Sequence, residues 1–235
     1  MIRTSRGAWI LMAGLFLACG GQPQAEPEEP RLADAWSGEE GAGPSTDLDI
    51  PADAPRVAFL GDSLAAGLHL DEDLAFPAVA QRLLAERGAP FQLVNAGISG
   101  DTTSGGLARV DWILKQEPQV VVVELGCNDG LRGLDLEQIE ANLRGILTRV
   151  REAGATPLLL EMHIPTSYGR AYEVGFSSLY GELAEELEVP SVPRFLEGVG
   201  GEVELNLPDG IHPNARGHEL LAEKLVGPLE TMLGD

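Results

Sequence analysis

Short, wholly apolar runs recur along this chain, and between them apolar residues return every three or four positions. Val57 to Leu60 is the first such run, and the four consecutive valines 120–123, within the strand read over Gln119 to Leu125, are the strongest. A strand that is apolar at every position, instead of every second one, is covered on both faces. Phe91–Asn95, Pro157–Met162 and Val189–Val192 read as further strands. Helical spacing spans Leu74–Arg87 (ending at Gly88), Thr102–Lys115, Asp135–Ala153 and Ala171–Leu187. Asp135 with Gln138 approximates a capping box. A last helix over Asn214–Leu229 is capped by Asn214 and limited by Pro228. Strand and helix alternating at this spacing predict a mostly parallel sheet with helices on both faces. Right-handed crossovers make that a three-layer α/β/α sandwich, one folded domain over residues 55–235.

The N-terminus does not fit this pattern. Arg3 and Arg6 precede an apolar run from Ala8 to Ala18, too short to span a bilayer, which takes about 20 residues. Residues 1–18 read as a secretory signal. Phe16-Leu-Ala-Cys19 resembles a bacterial lipobox, in which the cysteine is lipidated and becomes the new N-terminus. Phe16 departs from the usual leucine, so export as a soluble periplasmic or secreted protein is the second reading. Gly20 after Cys19, by analogy with Gram-negative lipoproteins, points to the outer membrane facing the periplasm. Residues 19–54 carry nine acidic side chains against Arg31 and little periodicity, the composition of an extended, solvated tether.

The whole chain has a formal charge of −21, of which −15 falls on residues 55–235. That surface repels polyanions, which argues against nucleic acid as a partner and against highly anionic acyl carriers as preferred substrates. The four histidines are scattered and form no zinc-ligand cluster, so neither a metal nor another cofactor is called for. Cys127, the only other cysteine, follows an apolar strand and reads as a small buried residue.

Ser63, Gly100 and Asn128 each follow directly on one of the first three strands. In a parallel sheet those points share the carboxyl edge, where ligands bind. Gly61-Asp-Ser63 after a buried strand can hold a hydroxyl clear of the backbone, as a nucleophile requires. The plainer reading of each segment is a turn or a helix cap; their common register on one edge favours a site. The N–H groups of Ser63 and Gly100 and the Asn128 amide would make a three-point oxyanion hole. Asp209 lies three residues before His212. It can turn back to the imidazole Nδ1–H, fix its tautomer and leave Nε2 free to take the serine proton.

Gly-Asp-Ser-Leu at 61–64, Gly100 in Ser-Gly-Asp-Thr, Asn128 in Gly-Cys-Asn-Asp and Asp209-x-x-His212 resemble the four blocks of the GDSL, or SGNH, hydrolase superfamily. The stretches 100–109, 124–133, 168–172 and 209–214 resemble its bacterial thioesterase I/lysophospholipase L1 and arylesterase branch, over residues 56–230. The resemblance implies a flavodoxin-like sandwich with Ser63 as nucleophile, His212 as base and Asp209 as its orienter. It also implies a mobile loop from Gly130 to Asp135, including Leu131, and an acyl groove over Met162–Tyr168 that includes Ile164, Pro165 and Tyr168. Cys127 stands where a glycine is common. The activity expected is hydrolysis of carboxylic esters with short, medium or aryl groups, of lysophospholipids or of acyl thioesters, without a cofactor. Two rival readings are an envelope polysaccharide O-acetylesterase and a non-catalytic, lipid-anchored binding protein.

Overall fold

The computed structural model of the protein describes residues 48–164 and 168–234. The signal segment, Cys19 and the tether up to residue 47 therefore lie outside the described residues, as does Pro165. Five parallel strands form one sheet: β1 (Arg56–Gly61), β2 (Gln92–Gly97), β3 (Val120–Glu124), β4 (Thr156–Leu160) and β5 (Ser191–Val192). Their spatial order is β2-β1-β3-β4-β5, the flavodoxin-like order. From Val57 to Leu60 and from Val120 to Val123 every side chain is buried, as unbroken apolar runs require. The chain leaves β1 outward for β2 and then returns past it to β3. Crossovers diverge at that switch point, between the carboxyl ends of β1 and β3, the place where sheets of this kind bind ligands.

Two layers of helices cover the sheet. Helices α2 (Phe76–Glu86) and α7 (Ala215–Gly234) pack together, while α3 (Thr103–Leu114), α5 (Leu136–Glu152) and α6 (Arg170–Leu187) form a second group. Two short helices sit at the carboxyl edge: α1 (Ser63–Ala66) and α4 (Cys127–Leu131). Residues 48–54, read from the sequence as the end of the tether, make a turn from Pro51 to Ala54. They accept bonds from Gln92 at the start of β2. Among the described residues, no helix is long and apolar enough to cross a membrane.

Helix α7 does not stop at Pro228 as expected but runs on to Gly234. Proline removes one helical N–H bond and crowds the carbonyl four residues back. Here tertiary packing overrides that cost, because Leu229 is fully buried and Met232 and Leu233 pack on the core.

His218 of α7 ties the first helical layer together. It is buried, stacks on Phe76 and accepts the Phe76 N–H through Nδ1 at 3.0 Å. Burial, with a smaller contribution from His212, pushes its pKa down from 6.5 to about 4. Between those values the unfolded chain takes up a proton that the folded chain refuses, so stability falls as pH drops through that window. The full shift corresponds to about 3 kcal/mol. His218→Gln, which cannot titrate, is expected to flatten the fall in Tm between neutral pH and pH near 4. Equal Tm losses in both proteins would show that His218 does not set the acid limit.

Candidate active site

Ser63 is the first residue of α1. Asp62 caps that helix, accepting the Leu64 N–H at 3.0 Å. Gly67 ends the helix after one turn in a left-handed conformation, and Asn95 of β2 donates to the Ala65 carbonyl. The serine is thus held on a short, braced turn at the carboxyl end of β1. Its Oγ lies 2.9 Å from His212 Nε2.

His212 arrives from a loop 149 residues away in sequence. Its Nδ1 is 2.7 Å from Asp209 Oδ2, while Asp209 Oδ1 accepts the N–H groups of Ile211 and His212 at 2.9 and 3.0 Å. Burial raises the Asp209 pKa, but those two N–H bonds and the His212 ring outweigh it and bring the pKa down to about 2. The carboxylate therefore keeps its charge well below the ordinary carboxylate range. An isolated bridge between Asn206 and Pro213, with the Leu207 N–H bonded to the His212 carbonyl, closes the loop.

Gly100 and Asn128 come to the same edge, after β2 and within α4. Gly100 has φ of 80°, a left-handed conformation that favours glycine. Among the described residues, no acceptor pairs with the N–H of Ser63 or of Gly100. Asn128 Nδ2 donates one hydrogen to Asp62 Oδ2 at 2.9 Å, and an amide nitrogen has a second to offer.

Residues 59–220 match the model of the GDSL-like lipase/acylhydrolase family. This chain belongs to that family. The enzyme is similar to esterase TesA of Pseudomonas aeruginosa, 42% identical over 79% of this chain and 93% of the relative. It is likewise 42% identical to a thioesterase 1/protease 1/lysophospholipase L1 of Escherichia coli, over 77% of this chain and 86% of the relative. An esterase from Pseudoalteromonas, solved in a form inhibited by monoethylphosphonate, superposes with a TM-score of 0.72. That pair is 30% identical over 77% of the enzyme and 99% of the other chain.

The residues expected to bind substrate are only partly gathered at an open surface. Leu131 and Tyr168 are exposed beside each other, with the Tyr168 hydroxyl donating to the Leu131 carbonyl at 2.9 Å. Tyr172, in the first turn of α6, makes the same kind of bond to Leu134 at 2.6 Å, so hydroxyls from just before and just inside α6 hold the end of α4 and the loop after it. Ile164 instead lies buried beneath Gly130 and Phe176. Cys127 opens α4 and is half-buried instead of fully buried as expected; burial first, then the charge of Asp62, pushes its thiol pKa well up.

Several residues that support this edge escaped the reading of the sequence. Asp129 is buried and accepts both the N–H and the hydroxyl of Thr103, at 3.0 and 2.6 Å. Asn142 bonds the same hydroxyl, which ties α4, α3 and α5 together below Gly100 and Asn128. Arg109 bonds Asp101 and the carbonyls of Ala96 and Gly61, fastening the ends of β1 and β2 to the Gly100 loop. His69, a non-glycine residue at φ 69°, sets its ring edge-on to His212 at 6.3 Å between centroids. Of these, only the pair Asp101–Arg109, eight residues apart across a helix start, had a local signal.

Proposed function

We propose that the enzyme is a serine esterase working through an acyl-enzyme, with Ser63 as nucleophile, His212 as general base and acid, and Asp209 as orienter. The observation that carries this is the unbroken chain of contacts from Asp209 through His212 to the Ser63 hydroxyl, 2.7 and 2.9 Å long. Ser63 Oγ attacks the ester carbonyl carbon as its proton passes to His212 Nε2. The carbonyl oxygen, now an anion, is received by the N–H groups of Ser63 and Gly100 and the free hydrogen of Asn128. Collapse breaks the bond to the alcohol or thiol, which leaves with the proton from His212. Water then repeats the cycle on the acyl group and releases the acid.

The substrates are carboxylic esters with short, medium or aryl groups, lysophospholipids and acyl thioesters. Leu131 and Tyr168 border the acyl path. The names of the two similar proteins, an esterase and a thioesterase/lysophospholipase, support this class. Export and lipidation of Cys19, with the enzyme held at the outer membrane, rest on the N-terminal sequence. Mass spectrometry of the membrane-extracted protein tests that assignment: an N-terminus at Cys19 without added acyl mass would overturn it.

A serine-directed phosphonate tests the chemistry. An adduct at Ser63 with loss of activity is expected; labelling elsewhere, or none, would leave a binding protein. A panel of esters of graded acyl length, with matching thioesters, then sets the substrate range. Asn128→Ala is expected to lower kcat about 100- to 1,000-fold with little change in KM, because the lost hydrogen bond strengthens only as the oxyanion forms. An unchanged kcat would remove Asn128 from the mechanism.

A further inference from the structure

Strand β3 is four valines ending in an acid, and that acid, Glu124, is fully buried at the floor of the site. Its Oε2 accepts the N–H of Asp62 at 3.1 Å and that of Ala65 at 3.2 Å, the residues on either side of the Ser63 turn. The fit is close: a Cβ added at Gly61 would lie 2.6 Å from this oxygen. Its other oxygen, Oε1, is buried and accepts from no donor among the described residues, while the Asp62 carboxyl lies within hydrogen-bonding reach of the Glu124 carboxyl.

We propose that Glu124 is a positioning residue that stays a neutral carboxylic acid, donates its proton to the Asp62 carboxylate and thereby fixes the group that aims the Asn128 amide at the oxyanion. An ionised Glu124 would leave Oε1 as an uncompensated buried charge, whereas in the neutral acid Oε1 is the atom that carries the proton. Among the described residues, no cation pairs with it. Among the same residues, the titratable groups facing it are Asp62 from the β1–α1 turn, Cys127 from α4 and the Tyr180 hydroxyl from α6. Arg109 is committed to Asp101 and two carbonyls.

Two buried carboxyls side by side cannot both ionise cheaply, so they share one proton. Burial, then the charge of Asp62, pushes Glu124 well above the ordinary carboxylate range. Burial raises Asp62 to about 6, with the Leu64 N–H, the Asn128 amide and His212 opposing the rise. Asp62 spends its bonds on those two donors, which favour its charged form. The shared proton therefore sits on Glu124. When the pair loses that proton at alkaline pH, two like charges face each other beneath Ser63, and the Asp62–Asn128 contact is strained.

Glutamine copies the neutral acid: its carbonyl accepts the two N–H groups, its NH₂ donates to Asp62, and it cannot ionise. Glu124→Ala is expected to lose about 10- to 100-fold in kcat with KM nearly constant, the scale for removing a partner that orients a reacting group. Glu124→Gln is expected to restore kcat at neutral pH and to abolish the alkaline fall expected of the wild type. Infrared spectra of the wild type at neutral pH should contain a buried carboxylic-acid carbonyl band that Glu124→Gln lacks. This inference rests on the oxyanion role given to Asn128, but the infrared band does not, so the two can fail separately. A folded Glu124→Gln as impaired as Asn128→Ala, or a wild type without the acid band, would overturn it.

Discussion

Replacing Ser63 with alanine is expected to lower kcat about a million-fold, the scale on which the nucleophile of a working triad fails. The Oγ of Ser63 makes one polar contact, to His212 Nε2, and sits on a turn held by other groups. Removing it deletes the attacking atom without unfolding the turn. Tm should stay close to wild type, because the change removes one hydrogen bond, to His212, and leaves the bonds that hold the turn in place, a cost of about 1 kcal/mol. KM should also hold, since the hydroxyl contributes to the acyl-enzyme and not to substrate binding. Residual turnover would come from water reacting in the oxyanion hole. Steady-state kinetics on an activated aryl ester measure all of this. A fall of less than about a hundredfold in kcat would mean that another group attacks the ester.

Asp209→Asn is expected to cost about a thousand- to ten-thousand-fold in kcat. The asparagine oxygen can keep the N–H bonds of Ile211 and His212, so its NH₂ is turned toward His212 Nδ1. A donor there forces the imidazole proton onto Nε2, the nitrogen that must be bare to accept from Ser63. The charge that steadies the imidazolium is lost as well. Asp209 is more open than a buried triad acid, with 37% of its side chain exposed, so water takes over part of its role and the lower figure is included. Fold and KM should be unaffected, and phosphonate labelling of Ser63 should slow in step with kcat. Labelling at the wild-type rate would show that His212 does not need this partner.

The remaining architecture divides by how far its causes reach along the chain. Strand and helix were legible because each follows from residues within a few positions. Four valines in a row require a strand covered on both faces, and Leu136, Ile139, Leu143 and Ile146 repeat at the helical period. Once the sheet is parallel, the ends of β1, β2 and β3 must share an edge, which brings Ser63, Gly100 and Asn128 together. Asp209 and His212 were readable as a pair because they are three residues apart. The short helices and the passage of α7 through Pro228 were less readable, since a single turn has no period and a buried Leu229 is known only from packing.

Local sequence thus determined the layers, the edge proposed to carry the chemistry and the residue types that meet there. Only the tertiary structure decided what lies underneath: Glu124 bonded to groups 62 and 59 positions away, Asp129 to Thr103 26 positions away, and Ile164 turned into the core instead of outward. An acid at the end of an apolar strand reads the same whether it meets water or the backbone of the Ser63 turn. Hydrogen bonds and burial between distant segments leave no periodic trace in either, because they exist only after both are brought into contact.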